Sequence, residues 1–225
     1  VSVLGSVVFA LLFVMTGLVE QFNLEPYDTV EAIDAETWVL PESVKGPFTA
    51  GPAMPISIVD EVQADSKNPG VTARSSLSED GGADEEVIVI GHEISGLGTP
   101  TPSDGRPAEG SGELVADTSL GLDLGTTVTL GEEEFTVVGT NEDTTLLAGI
   151  PVVFMPLEDA QNLVFRTTEV IRVVFVDGDV SSLPSGTKTM TSDEVAADVL
   201  EPLEGAIASV DLVRVLLWIV AAIII

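Results

Sequence analysis

Apolar residues crowd both ends of this chain and alternate with polar ones through its middle. Val1–Val19 (VSVLGSVVFALLFVMTGLV) runs nineteen residues without a charge, and Leu212–Ile225 (LVRVLLWIVAAIII) carries one, Arg214. At about 1.5 Å rise per residue, nineteen helical residues cover about 28 Å, close to the roughly 30 Å hydrocarbon thickness of a bilayer. The pattern predicts a transmembrane helix over 1–19, a folded domain over 20–208 and a second transmembrane helix over 209–225. Two passes bracketing one domain place it on one side of the membrane and both flanking ends on the other. A cleaved leader is the competing reading of the first segment. Against it stand the missing basic n-region, a length beyond the usual h-region and the lack of a small-x-small site before Glu20.

Between the ends, Glu20–Asp34 is polar and leads away from the bilayer. Glu36–Leu40 predicts a short strand ended by Pro41, and residues 46–55 (GPFTAGPAMP) hold Gly and Pro too densely for a regular element. Ile56, Val59 and Val62, about three apart, predict a short helix over 56–64, stopped by a turn at Asn68-Pro69-Gly70. Strands are expected over Val71–Leu77 and over Glu86–Ile94, the second apolar enough to be buried on both faces. Residues 95–112, rich in Gly, Pro, Ser and Thr, predict an exposed, mobile loop.

Thr126–Leu130 and Phe135–Gly139 flank the turn Gly131–Glu134 as a β-hairpin. Val152–Met155 predicts a buried strand. Pro156 opens a helix through Ala160 and Leu163, with Glu158 and Asp159 at its positive end. Glu169–Val176 predicts a strand closed by Asp177-Gly178. Thr191–Glu194 has the form of a capping box ahead of a helix over Val195–Leu200. The expected fold class is α+β, a mixed domain in two lobes divided near the Gly/Pro-rich loop and flanked by two transmembrane helices.

Charge narrows the function. Eight Lys and Arg against 37 Asp and Glu give a formal charge of −29. Such a polyanion repels nucleic acid and anionic headgroups alike. Two origins of the acidity stay open: an exported domain that avoids basic residues, or a high-salt habitat in which dense carboxylates stay hydrated and screened. The three lysines and the richness in Val, Thr, Gly, Asp and Glu favour the second. The absence of cysteine excludes a disulfide framework, thiolate metal sites and cysteine nucleophiles.

Catalytic constellations are missing from the pattern. The one histidine, His92, sits mid-strand, where a structural role outweighs that of base or ligand. No H-E-x-x-H, G-x-S-x-G or Walker-type loop occurs, and Gly81-Gly82 and Gly96-Leu97-Gly98 lack the strand-to-helix context of a phosphate site. The acid runs Asp84–Glu86 and Glu132–Glu134 lack the alternating ligands and glycine of a calcium loop and read as solvated turns. No catalytic, metal or cofactor site is expected within the chain.

Residues 112–165 (GELVADTSLGLDLGTTVTLGEEEFTVVGTNEDTTLLAGIPVVFMPLEDAQNLVF) resemble the extracytoplasmic core domain of MacB/FtsX-type ABC transporter permeases. The family's "lgl..Gd.v.l" strand matches Leu120–Leu130, its "f.VvGi" strand Phe135–Gly139, and its "vfvpl..aq.l" strand and helix Val153–Leu163. The flanks agree at Asp34–Pro55 and at Pro69-Gly70-Val71. The 95–112 loop has no counterpart, and the family's four spans exceed the two seen here. The resemblance implies a multi-pass permease of the cell membrane whose central domain lies outside the cytoplasm. Its implied partners are a second permease subunit (homodimer or heterodimer), the lipid bilayer and a separate cytoplasmic ABC ATPase that hydrolyses ATP, so the chain itself is not an enzyme. It further implies export, lipoprotein release or mechanotransmission, without selecting among them.

The alternative is the extracellular sensor domain of a two-span receptor. That reading predicts a pocket of converging polar or aromatic side chains, against which stands the 5% aromatic content. A secreted binding module is the third reading.

Overall fold

Strand pairing in the domain closes on itself. The computed structural model describes the backbone of residues 3–79 and 82–224, and the side chains of all of these except 3–9, 18, 22 and 220–224. Its strands are β1 (Thr37–Pro41), β2 (Met54–Pro55), β3 (Ser66–Glu79), β4 (Glu85–His92), β5 (Asp104–Gly105), β6 (Glu113–Asp117) and β7 (Thr127–Leu130). There follow β8 (Glu133–Asn141), β9 (Thr145–Leu146), β10 (Ile150–Pro156), β11 (Val170–Ile171), β12 (Val173–Asp177) and β13 (Thr187–Thr191). The helices are α1 (Val3–Ala32), α2 (Ile58–Glu61), α3 (Leu157–Phe165), α4 (Ser192–Leu200) and α5 (Glu204–Ile224). The α+β class is therefore as expected.

From β3 the ladder passes to β4, β10, β6, β8 and β7, and β7 returns to the tip of β3 at Leu77–Glu79. Pairing is parallel for β4 with β10 and for β6 with β8, and antiparallel elsewhere in the ring. Alternate residues point inward, as the two-residue period of a strand requires. Val87 and Val89, Leu114, Phe135 and Val137, Val153 and Met155 share one buried cluster, joined by Leu157 and Ala160 of α3. The other half of β3 carries β12, β1 and β13 outward in order. A second cluster lies on the outer face, where Ile88, Ile90 and Phe154 meet Trp38, Val30 of α1, Ile33 just beyond it and Val195 of α4. The run Val87–Ile90 thus feeds both cores, as its continuous apolarity predicts. Ring and extension share one continuous 11-stranded sheet, joined through β3.

The hairpin, the helix after Pro156 and the capping box occupy their expected places. Asn68-Pro69-Gly70 does not: it lies inside β3 instead of ending a helix. Pro69 is tolerated because pairing with β4 begins only at Gly70, leaving β12 as its single neighbour. Gly70 is needed for close approach, since a Cβ there would lie 2.3 Å from Cε2 of Phe175 and 2.8 Å from Cγ1 of Val173. Gly70→Ala is expected to cost about 1–3 kcal/mol by overpacking, read as a lower urea midpoint with an unchanged slope. The expected helix over 56–64 shrinks to α2, Ile58–Glu61, and the 169–176 strand breaks at Arg172 into β11 and β12. The edge strand β13 has no sequence signal, because TKTMT is half exposed and carries no apolar alternation.

Nor is the 95–112 segment an exposed loop throughout. Gly98 N donates to Ile33 O (2.8 Å), Ser103 N donates to Thr140 O (2.8 Å), and Ala108 is buried. The Arg106 guanidinium forks onto the Glu113 carboxylate, which also accepts from the backbone N–H of Glu109 (3.1 Å) and Gly110 (3.0 Å). Its pairing with Arg106, helped by those N–H groups, holds Glu113 down at about 2 from an ordinary 4.5. A depressed carboxylate stabilises the fold above its unfolded pKa and loses that contribution as pH falls through the folded one. The clasp should therefore open between about pH 4.5 and 2. In Glu113→Gln, limited proteolysis within 95–112 should already be fast at pH 7 and should lose this acid branch.

Candidate functional site

Among the described residues the structure brings together no catalytic set. Asp84–Glu86 and Glu132–Glu134 are exposed, the first paired through Arg74 to Glu86 (3.0 Å) and the second through Arg166 to Glu132 (3.4 Å). Among the described residues no group of three or more His, Asp or Glu side chains is placed to hold a metal ion. Gly81 lies outside the described residues. His92 is fully buried at the end of β4, where burial pushes its pKa down and keeps it neutral.

The arrangement with mechanical content is the junction of the flanking helices with the domain. α1 is 30 residues long and so about 45 Å from end to end. Sequence reading placed a polar exit segment after Val19; the structure continues the same helix through it to Ala32. Its inward described residues are Leu12, Met15 and Val19, then Glu25, Pro26, Thr29 and Val30, mostly three or four apart within each group as in a helix stripe. The opposite face changes character at Glu20. Before it the exposed described residues are uncharged, Phe13 (85% exposed) and Val14 among them; from there on Glu20, Gln21, Asn23, Asp28 and Glu31 face outward together with Leu24 and Tyr27.

The buried end of α1 is held by specific bonds. Gly149 N donates to Glu25 Oε1 (2.9 Å), and Thr29 Oγ1 donates to Thr145 O (2.6 Å). Thr145 belongs to β9 and Gly149 to the turn from β9 to β10, whose residues Leu147, Ala148 and Gly149 all have positive φ (55°, 68° and 100°). Two non-glycine residues in that region cost about 1–2 kcal/mol each, so the turn persists because its surroundings hold it. Burial pushes the Glu25 carboxyl up, against the opposing effect of the Gly149 N–H. Beyond the end of α1, Ser192 at the start of α4 donates its hydroxyl to Ala35 O and its N–H to Glu36 O (3.1 Å), tying α1 to α4.

α5 packs along α1. Since α1 enters the domain and α5 leaves it, the two run in opposite directions. The half-buried stripe of α5 is Ile207, Val210, Asp211, Arg214 and Leu217, while Leu212, Val213, Val215, Leu216, Trp218 and Ile219 are exposed. Arg214 Nη2 lies 2.9 Å from Asp211 Oδ1, an ion pair without the alignment of a hydrogen bond. The helix is thus inverted relative to water, with charge toward its neighbour and large apolar side chains outward. Among the described residues no helix is long and apolar enough to cross a membrane. Much of the expected first span (1–19) and the end of the second (209–225) fall on side chains outside those described.

No protein-family model matches the chain. Over 224 aligned residues, 97% of its length, it is 32% identical to uncharacterized ABC transporter permeases of Mycobacterium tuberculosis and Mycobacterium bovis. The chain spans 63% of the length of those relatives. Among solved structures, the periplasmic region of MacB from Actinobacillus actinomycetemcomitans aligns with a TM-score of 0.48 at 14% identity, covering 76% of this chain and 96% of its own. The extracellular domain of the noncanonic ABC-type transporter YknZ from Gram-positive bacteria aligns with a TM-score of 0.45 at 14% identity, covering 70% and 99%.

Proposed function

The chain is homologous along nearly its whole length to ABC transporter permeases, and from that premise we propose that it forms the outer domain and flanking spans of a MacB/FtsX-type permease subunit. In this reading 1–19 and 209–225 lie in the bilayer and 20–208 outside the cytoplasm. A cytoplasmic ATPase and a second permease subunit are its partners. The observation that carries the proposal is the inverted surface of α5 beside the outward Phe13 and Val14 of α1. Water does not stabilise such a surface, whereas hydrocarbon does. The first charged outward residue, Glu20, then marks where α1 leaves the lipid.

Work would pass through α1. ATP hydrolysis in the partner shifts the spans, and because one helix runs from Leu12 to Ala32, next to the buried Ile33, displacement at one end reaches the β9–β10 turn and the second core at the other. This chain supplies no step of the hydrolysis; its residues hold geometry.

These 225 residues hold no cysteine, so a single cysteine introduced among them is the one thiol they present. In intact cells a membrane-impermeant maleimide should label Glu132→Cys and Leu124→Cys. Phe13→Cys and Trp218→Cys should react only after the bilayer is dissolved. Equal labelling of all four in intact cells would remove the membrane assignment.

A further inference from the structure

We propose that α1 is a hinged lever with a proton-operated latch: the helix bends at Pro26, and the Glu25 carboxyl, seated on the β9–β10 turn, holds the bend shut when protonated and frees it as pH rises. Pro26 supplies the hinge. It lacks the N–H that would bond the carbonyl four residues back, and its ring crowds that carbonyl, the usual origin of a helix bend. On the far side of the hinge Thr29 and Val30, with Ile33 just beyond the helix, are buried against the sheet. Before the hinge, among the described residues, Glu25 makes the one side-chain hydrogen bond that ties α1 to the domain. Glu25 is 6% exposed and accepts from Gly149 N (2.9 Å), an amide of the turn with three successive positive φ angles. As a carboxylate it has left water for that N–H and the Thr145 side chain. As a neutral acid it keeps an acceptor for Gly149 without the cost of a buried charge.

The charge around the latch has one sign. On α1 itself Asp28 follows one turn on, with Glu31 beyond it, and the loop from β8 to β9 brings Glu142 and Asp143. β6 brings Asp117, 2% exposed, which accepts from Ser119 N, Thr144 N and Thr144 Oγ1 (2.8 Å each). β9 carries no titratable group. α4 brings Asp193 to the cavity beside Tyr27 and Glu31, while Glu194 closes the cap of its own helix and Asp198 lies beside Lys45. α5 brings Glu204 and the Asp211–Arg214 pair. No Lys, Arg or His among the described residues lies within ion-pair reach of Glu25, Asp28, Asp117 or Asp143. Burial pushes the Glu25 carboxyl up and Asp117 adds to it, against the Gly149 N–H and Thr145. Burial, then the charges of Asp143 and Glu31, push Asp28 up as well. A group raised in the docked state favours docking below its free pKa and loses that contribution as pH rises through the raised one. The latch is therefore tightest near 4.5, the ordinary value of Glu25, and loosens above it, where the Arg106–Glu113 clasp stays closed. In the permease reading an open latch uncouples the spans from the outer domain, but the latch itself belongs to the helix and the domain alone.

The latch is read by pulsed EPR on the full-length protein in detergent, spin-labelled at Asn23→Cys before the hinge and Ala148→Cys on the turn, both exposed positions. Near pH 5 one narrow distance should dominate. Towards pH 8 a second, broader population should grow, its ratio to the first rising by up to about tenfold per pH unit, the limit for one linked proton. Glu25→Gln, which keeps an acceptor for Gly149 N but cannot ionise, should show the narrow distance at every pH. Glu25→Ala, which leaves that N–H unmatched, should show the broad one throughout. Asp143→Asn should cut the broad population at high pH about twofold in dilute buffer, a difference that molar salt removes. A distance independent of pH in the otherwise unmodified protein, or a Glu25→Gln titration that follows it, would overturn the latch. Glu25→Gln behaving as Glu25→Ala would reduce Glu25 to a fixed structural acceptor and overturn it equally. Should a label on the turn prevent folding, the pair Asn23→Cys and Thr101→Cys reads the same bend from the neighbouring loop. No ATPase enters the measurement, so its failure leaves the permease reading standing.

Discussion

Replacing Trp38 with alanine is expected to remove about 3–5 kcal/mol of folding stability, the cost of deleting a buried aromatic and leaving its space unfilled. Trp38 is fully buried in β1 and is among the largest side chains of the second core. Its ring meets Phe175 edge-on (centroids 5.0 Å apart, planes at 89°) and Phe48 (5.9 Å, 64°), and such pairs add to burial alone. Its indole N–H reaches toward Ser192 Oγ (3.4 Å), the hydroxyl that also ties α4 to the chain beyond α1. The cluster around it holds Val30 of α1, Ile33 just beyond that helix, and Val195 and Val199 of α4. A domain of ordinary stability, about 5–15 kcal/mol, would lose a large share of it. Chemical denaturation of the outer domain reads the effect. A loss below about 1 kcal/mol would mean that the ring is not what joins helices to sheet.

Thr29→Pro is expected to have the second large effect, and to act on transmission as well as on stability. Thr29 lies in the last turns of α1, fully buried, and its hydroxyl donates to Thr145 O. Proline there removes an intrahelical N–H and clashes with the carbonyl four residues back, which costs about 3 kcal/mol or more and kinks the helix. It also deletes the hydroxyl that meets the strained β9–β10 turn. α1 already carries one proline, Pro26, so the junction would hold two within one turn of helix. In the full assembly, ATP turnover by the partner should continue while ATP-dependent distance changes between spin labels on the two outer domains disappear. Thr29→Ser, which keeps the hydroxyl and the helix, should retain both. Unchanged label motion in Thr29→Pro would show that α1 does not carry the displacement.

The ring half of the fold was legible because its strands alternate cleanly and its turns carry the chemistry those turns demand. Thr126–Leu130, Gly131 and Phe135–Gly139 declare a hairpin, and Thr191 with Glu194 declares a helix start that the structure caps on both sides. The Asn68-Pro69-Gly70 reading failed for a long-range reason. Local preference marks a turn, but β12 on one edge and the Phe175 ring against Gly70 make the same residues strand. β13 left no trace, since an edge strand with half its residues exposed needs no apolar alternation. The continuation of α1 was hidden by a change of solvent. Its outward face is uncharged before Glu20 and carries charges from there on, which looks like an element ending, while described inward positions run on from Leu12 to Val30.

The junction itself was illegible, because Glu25 and Thr29 are ordinary polar residues until the fold brings Gly149 and Thr145 to them from more than a hundred positions away. His92 was rightly read as a strand residue; what sequence does not carry is that burial leaves its Nε2 without a hydrogen-bond partner.

The central claim is that this chain moves an outer domain with energy released elsewhere. The most direct test is purification of the full-length protein from detergent-solubilised membranes of its own cells, with the retained proteins identified and assayed for ATP hydrolysis. The account predicts a stoichiometric ABC ATPase in the complex, with turnover that the permease alone lacks. Reproducible isolation of the intact, membrane-extracted chain with no ATPase would contradict it.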